Sequence, residues 1–437
     1  MDKHPHRKLL SRFGLGKLHR RGNREIVRHL LEDCEECRQV TSRYLPKLEY
    51  GTAFEAAQRE VESRQAQLVA ERVDAGELLR ELLAQPFERQ EILVTQEGSH
   101  YCTWGFCELL LDAAREWGFQ DPARAIELAR IGVEVAERLD AGAYGRTRVR
   151  DLAARAWGIL GNAQRIRDDF RTAEKSFAQA ELRLREGTGD PLEKAQIQLF
   201  KASHFGNQQR FREAFRLLDR VVAVGRRCGD PHLWGKALIM RGFLLGLAND
   251  PEAAIRHLSE GLQKVDSASD PRLVVAAQHN LTLYLAESGR YGEALRLLES
   301  ARPLYRQVGD QMSLLRLRWL EGKIASALGH YRESEELLRG VQKELIEREL
   351  GYDAALLSLD LATIYARDGR SAEMRRLAEE MLPIFKSQDI HREAFAALFV
   401  FQKAAEMERV TLGLIRDVTG YLKESRATWS QRSRQAR

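Results

Sequence analysis

Two sets of residues recur along this chain at a spacing of 40, and that spacing limits the fold more than any other feature. The first set closes a short repeated phrase on a small residue. It runs through Ala125, Ala173, Ala214, Ala254, Ala294, Ser334 and Met374, in steps of 48, 41, 40, 40, 40 and 40. The second set is Asp190, Asp230, Asp270 and Asp310, each 40 residues after the last. Two registered combs mean that one structural unit is copied along the chain. So short a unit cannot bury an apolar face alone and must stack on its copies.

Local chemistry says what the unit is. Gly189-Asp190-Pro191, Gly229-Asp230-Pro231 and Ser269-Asp270-Pro271 each read as the end of one helix and the start of another. Glycine, where present, takes the left-handed conformation that closes a helix. Aspartate accepts a hydrogen bond from a free N–H of the next helix, and proline suits its first position. Second turns, Ser288 to Tyr291 and Leu328 to Tyr331, divide each period in two. Between the turns the apolar spacing is helical: Leu281 and Leu285, then Ala294, Leu297, Leu298 and Ala301. No segment alternates as a strand would. Gly161, Ala202, Gly242, Gly322 and Ala362 each precede an anchor by twelve residues, so that paired helices can approach closely.

Trp157-x2-Leu160-Gly161, followed by Ala173-x3-Phe177-x2-Ala180, resembles the tetratricopeptide repeat (TPR) pattern. Leu281, Gly289, Tyr291, Ala294 and Ala301 match it again, as do Gly322, Gly329 and Tyr331, and Leu361, Tyr365 and Gly369. Each repeat is about six residues longer than the usual form, which resembles longer-helix variants of bacterial regulatory proteins. The fold expected is all-α: a right-handed α-solenoid of about seven TPR-like helix pairs, with an N-terminal helical module and C-terminal capping helices. The resemblance implies a concave inner surface lined by the first helix of each pair, where a peptide or partner helix binds. Projected onto this sequence, the partner-binding candidates are Arg155, Asn162, Gln196, Ser203, Asn207, Lys236, Phe243, His279, Arg316, Trp319 and Lys323. Amides would serve a peptide backbone, cations a carboxylate, and rings an apolar anchor. A solvated groove is the alternative, with Phe243 and Trp319 as packing residues. The carboxylate clamp of chaperone-binding relatives is not recognisable, so a chaperone C-terminus is not the expected ligand.

Ahead of the repeats, His29, Cys34 and Cys37 form H-x4-C-x2-C. Imidazole and thiolate are good Zn²⁺ ligands, and a complete site needs a fourth. His4, His6 and His19 stand upstream. With Arg38, these positions resemble the zinc-binding anti-sigma factor module, which implies a metal site at His29, Cys34 and Cys37 and a sigma factor or similar partner. The His–Cys spacing is one residue longer than usual, which turns His29 by about 100° if one helix carries both. Three readings stay open: a zinc site, the same module without metal, and a plain helix in which Cys34 and Cys37 pack.

The remaining features mostly exclude functions. The net charge of +5 sits at the ends: residues 1–24 carry +7 and residues 423–437 carry +4, leaving −6 between. Basic tails read as solvated, disordered ends, and no helix-turn-helix or aromatic RNA-binding stripe accompanies them, so nucleic acid is not an expected partner. No stretch of 18 apolar residues exists, the longest being Phe395 to Phe401, so no membrane span is expected. Five cysteines without a signal peptide suggest a reducing cytoplasm, with Cys102, Cys107 and Cys228 as packing residues. No nucleophile elbow, HExxH, P-loop or dinucleotide fingerprint is present, and Gly14-x-Gly16-Lys17 lacks the flanks of a phosphate loop. A non-catalytic protein is expected. Glu335-Glu336 and Glu379-Glu380 read as solvated helix faces. The domain division expected is a basic tail at 1–24, a helical module at 25–105, the array at 106–392, and capping helices with a basic tail at 393–437. Residues 52–97 read as amphipathic helix broken near Pro86, and two further helices are expected near 391–407 and 411–427.

Overall fold

The protein is described by a computed structural model covering residues 4–18, 20–31, 34–44, 50–118, 121–308, 311–348, 350–387 and 392–435. Asp310 of the second comb and His19 lie outside these residues. The chain forms two compact units, Met1–Gly76 and Glu77–Arg437. The described residues are helical, with no strand.

The first unit contains α1 (Arg7–Gly14), α2 (Arg20–Leu31), α3 (Glu35–Ser42) and the beginning of the long α4 (Tyr50–Leu83). Residues 7–14 of the basic N-terminal stretch thus form a helix. α1, α2 and α3 pack around Leu10, Ile26 and Cys37, with Phe13, Leu18, Leu30, Cys34 and Val40 against them. So small a core tolerates no slack: a Cβ on Gly14 would lie 2.7 Å from the Cβ of Tyr44.

The second unit continues from the end of α4 into α5 (Phe87–Thr95), and Pro86 separates them as expected. Seven helix pairs follow: α6 (Trp104–Trp117) with α7 (Pro122–Arg138); after the short α8 (Ala141–Tyr144), α9 (Arg146–Ile166) with α10 (Phe170–Glu186); α11 (Pro191–Asn207) with α12 (Phe211–Cys228); α13 (Pro231–Leu247) with α14 (Pro251–Leu262); α15 (Pro271–Glu287) with α16 (Tyr291–Val308); α17 (Gln311–Ala327) with α18 (Tyr331–Glu347); and α19 (Gly351–Arg367) with α20 (Ser371–Ser387). α21 (Arg392–Glu406) and α22 (Leu412–Gln435) end the chain. The irregular step of 48 is taken up by α8 and by the 21 residues of α9.

The combs act as their chemistry requires. Asp121, Asp190, Asp230, Asp250 and Asp270 each accept a hydrogen bond from a first-turn N–H, with proline in the first turn. In six of the seven pairs the turn between the two helices uses one left-handed residue. Gly289, Gly329 and Gly369 supply it in three pairs; Asp168, Gln209 and Asn249 take the same positive φ in three others. Anchors Ala125, Ala173, Ala214, Ala254, Ala294 and Ser334 are fully buried, and Ser334 Oγ donates to the carbonyl of Gly322 at 2.7 Å. A Cβ on Gly161, Gly242 or Gly322 would come within 3.0 Å of Phe177, Leu258 or Leu338, each four residues after the anchor of the same pair. The small residues therefore set the approach of the two helices.

Successive first helices touch: α9 and α11, α11 and α13, and onward to α17 and α19. Among the described residues, no two second helices pack comparably on each other. First helices crowd while second helices splay, so the first-helix face is the inner one of this unit. Two readings need correction. Cys228 ends α12 exposed, because the last turn before left-handed Gly229 faces solvent. Glu335 is not merely solvated: it accepts from the Tyr365 hydroxyl at 2.7 Å and from Arg370 at 2.6 Å. Cys107 is buried, as a packing residue should be. Among the described residues no helix is long and apolar enough to cross a membrane.

Candidate functional site

The first-helix face carries the eleven partner-binding candidates, and the structure sorts them. Gln196 and Arg316 are exposed. Asn162, Asn207, Phe243 and His279 are half-buried; Asn162 accepts from Arg165 Nε at 3.0 Å, and Phe243 packs on the core. Ser203 is buried, and its hydroxyl points back to the Leu199 carbonyl and the Met240 sulfur. It is thus not displayed for a partner.

Three of the four cations expected to hold a carboxylate already hold one. Arg155 pairs with Glu193, Lys236 with Asp270 at 2.7 Å, and Lys323 with Asp360 at 3.7 Å. In each case the acid comes from the next pair. Asp270 also caps α15, and Asp360 also accepts from Trp319 Nε1 at 2.7 Å. These side chains join repeats to one another. His279 lies half-buried near Arg316, and burial first, then that guanidinium, pushes its imidazole down to about 4. It is neutral at pH 7 and can only exchange neutral hydrogen bonds.

On α15, α17 and α19 sequence reasoning singled out His279, Arg316, Trp319 and Lys323 but missed the hollow between these helices. A cavity of about 240 Å³ opens there, lined by Leu283, Ala286, Glu287, Tyr291, Lys323, Ser326, Ala327, Leu338, Asp360, Thr363 and Arg367. Leu247, at the end of α13, is 67% exposed. The signal was present: a step of 40 from Ser203 and Phe243 gives Leu283, Lys323 and Thr363, and from Asn207 it gives Leu247, Glu287, Ala327 and Arg367.

In the first unit, one donor atom from each of His4, His29, Cys34 and Cys37 lies within 4.8 Å of the others. Cys34 Sγ is 3.2 Å and Cys37 Sγ 3.5 Å from His4 Nδ1, and the His4 and His29 rings meet edge-on at 5.6 Å. The longer His–Cys spacing does no harm, because α2 carries His29 whereas Cys34 caps α3 and Cys37 sits within it. The fourth donor is His4. His6 instead accepts from the Lys8 N–H as the cap of α1.

The chemistry of the set fits a metal. Two imidazoles and two thiols are the complement of a closed structural zinc site. His29 Nε2 is buried with no hydrogen-bond partner, an arrangement that a cation would satisfy. Burial first, then the neighbouring Cys34 thiol, pushes the Cys37 thiol up to about 11. A divalent ion would remove that penalty by holding the thiolates. The Glu36 carboxylate lies 4.0 Å from His4 Nε2, on the ring edge away from the cluster's Nδ1.

Comparison with known proteins agrees with the array. A tetratricopeptide repeat family model matches residues 274–308, which fall in α15 and α16. No curated protein matches the chain. Among solved structures, a signal transduction ATPase with numerous domains from Pyrococcus horikoshii, described as having a tetratricopeptide repeat sensor, aligns with a TM-score of 0.56 at 14% identity. The alignment covers 83% of this chain and 53% of that one. A Rap protein complexed with competence and sporulation factor aligns at 0.51 and 13%, covering 74% and 87%. The apo quorum sensor NprR from B. thuringiensis aligns at 0.51 and 13%, covering 71% and 84%. At these identities the likeness is one of fold: the second unit is a TPR-type helical solenoid.

Proposed function

We propose that the chain is a non-catalytic regulatory scaffold that takes a peptide or a helix of a partner protein on the first-helix face of its TPR-type array. The observation that carries this reading is the face itself. It combines an exposed leucine, free polar and cationic side chains and a cavity of about 240 Å³ on one surface. Such a surface offers an apolar anchor and a polar rim to an extended or helical ligand. The Rap structure, which holds competence and sporulation factor, supports the reading by analogy of fold. The setting we infer is the bacterial cytoplasm.

The experiment is co-purification from the native host with full-length bait and a Leu247→Asp/Arg316→Glu variant. Lys236 and Lys323 are poor choices, because reversing them would break their pairs with Asp270 and Asp360. Loss of partners at an unchanged melting temperature supports the groove; an unchanged partner list sinks it.

The four-donor cluster favours a second reading. Here the first unit is a zinc-dependent, anti-sigma-like regulator of transcription, with a sigma factor or similar protein as partner and the repeats as sensor. Metal analysis of untagged protein, beside Cys34→Ser/Cys37→Ser, tests it. One zinc per chain that the variant loses supports this reading, and metal-free wild type removes it.

A further inference from the structure

The repeat rule breaks at the C-terminal end, and the break has a consequence for the face. Every first helix from α11 to α19 packs on the first helix before it. α21 should then pack on α19, but among the described residues it makes no comparable contact there. α22 packs on α19 instead, and on α21. Ile415, Val418 and Leu422 are buried in the cluster that contains Leu357, Leu361 and Tyr365 of α19.

One residue beyond Leu422, Lys423 Nζ lies 3.8 Å from Glu287 Oε1. Glu287 belongs to α15, two pairs back, and lines the cavity together with Lys323, Asp360 and Arg367. First helices stack about 10 Å apart, so α15 and α19 are separated by roughly 20 Å. The eight residue steps from Ile415 to Lys423 rise about 12 Å, and two long side chains close the remainder. α22 therefore leaves α19 and reaches the cavity rim on α15. Its backbone continues as helix to Gln435.

We propose that α22 is a built-in occupant of the first-helix face: it bridges α19 and the cavity rim on α15 as a partner helix would, leaving the cavity itself open, and a partner gains that rim only by displacing it. This rests on the reading of the face as a partner-binding surface. It also says what the partner looks like there. The displacing helix presents three apolar residues at the spacing of Ile415, Val418 and Leu422, then a cation that meets Glu287. The α9–α13 portion, with Asn162, Gln196 and Leu247, stays open whether or not α22 is docked.

Two measurements on the full chain test this. Zero-length carbodiimide coupling should join Lys423 to Glu287, seen as one linked peptide by mass spectrometry and absent in Glu287→Gln. A fluorescein-labelled synthetic peptide of residues 410–435 should then bind weakly to wild type, because the tethered copy competes at millimolar effective concentration. It should bind at least tenfold more tightly to a Val418→Asp/Leu422→Asp chain. If that variant loses its helical melting transition, Lys423→Glu serves instead. It repels Glu287 in the tethered helix only, and should raise peptide binding two- to fivefold, the scale of an exposed ion pair. No 287–423 link, or equal peptide affinity for wild type and the folded variant, overturns the proposal. Such a failure leaves the co-purification test on Leu247 and Arg316 untouched, so the two readings fall separately.

Discussion

If small residues set the spacing within each helix pair, then adding one methyl group should have opposite effects at two glycines of the array. Gly242 lies in α13, and a Cβ there would sit 2.6 Å from Leu258 Cγ, 2.9 Å from Leu258 Cδ2 and 3.2 Å from the Ala254 carbonyl. Leu258 is fully buried, so it has nowhere to retreat. Gly340 lies in α18, exposed, with nothing within 4 Å of its would-be Cβ. Glycine to alanine in a helix gains about 1 kcal/mol from backbone preference at either site. At Gly242 that gain is set against overpacking, which costs about 1–3 kcal/mol. Gly340→Ala should therefore be stabilised by about 1 kcal/mol and Gly242→Ala destabilised by about 1 kcal/mol. The assay is urea denaturation followed by circular dichroism, reading midpoint and slope for the three proteins in parallel. A Gly242→Ala midpoint at or above that of Gly340→Ala would refute the packing argument.

Three more outcomes follow from particular groups. His204 is 1% exposed among Phe170, Phe177 and Phe205. Burial first, then Arg165, pushes its imidazole down to about 4. The unfolded chain binds the extra proton below about 6.5, so stability should fall as pH drops from 6.5 towards 4, by up to about 3 kcal/mol. Denaturation midpoints at pH 7.5 and pH 5 should differ less in His204→Phe than in wild type. Gln209 holds φ +59° in a turn where three other pairs use glycine; Gln209→Gly should raise the melting midpoint by the equivalent of about 0.5–1 kcal/mol, measured by calorimetry. Zinc added to metal-free protein at pH 7 should expel the Cys37 proton, because the free thiol is held up near 11. Proton release measured with an indicator dye should shrink in Cys37→Ser, and apparent affinity should weaken as pH is lowered.

The array was legible because its signals are local and repeated. An Asp-Pro pair caps a helix wherever it stands, and seven anchors at nearly constant spacing identify one small unit through its copies. Three members of the four-donor cluster were legible and one was not. His29, Cys34 and Cys37 are neighbours in sequence, but the fourth donor, His4, is brought in by the packing of α1 on α3, which no spacing rule encodes. The expected penalty for the longer His–Cys spacing assumed one helix where two stand. Cys228 misled for a different reason: residue type favours burial, but its place in the last turn before a left-handed glycine sets exposure.

The proposed binding face was the least legible part, and the reason is physical. Residue type and helical position show that Lys236 and Lys323 lie on the inner helices; they do not show that Asp270 and Asp360 arrive from the next pair to neutralise them. Both acids have a second duty, one as a helix cap and one as the acceptor for Trp319. A ligand carboxylate competing for either lysine would have to displace an acid that is anchored elsewhere. Selectivity on this face then cannot come from its paired lysines. It falls to side chains outside those pairs: Leu247 at the open portion, Arg316 on α17, and Arg367 at the cavity, the two arginines having no ion-pair partner among the described residues. A ligand that reads those three residues would run along the inner helices from the end of α13 to the end of α19, and its last stretch would meet α22.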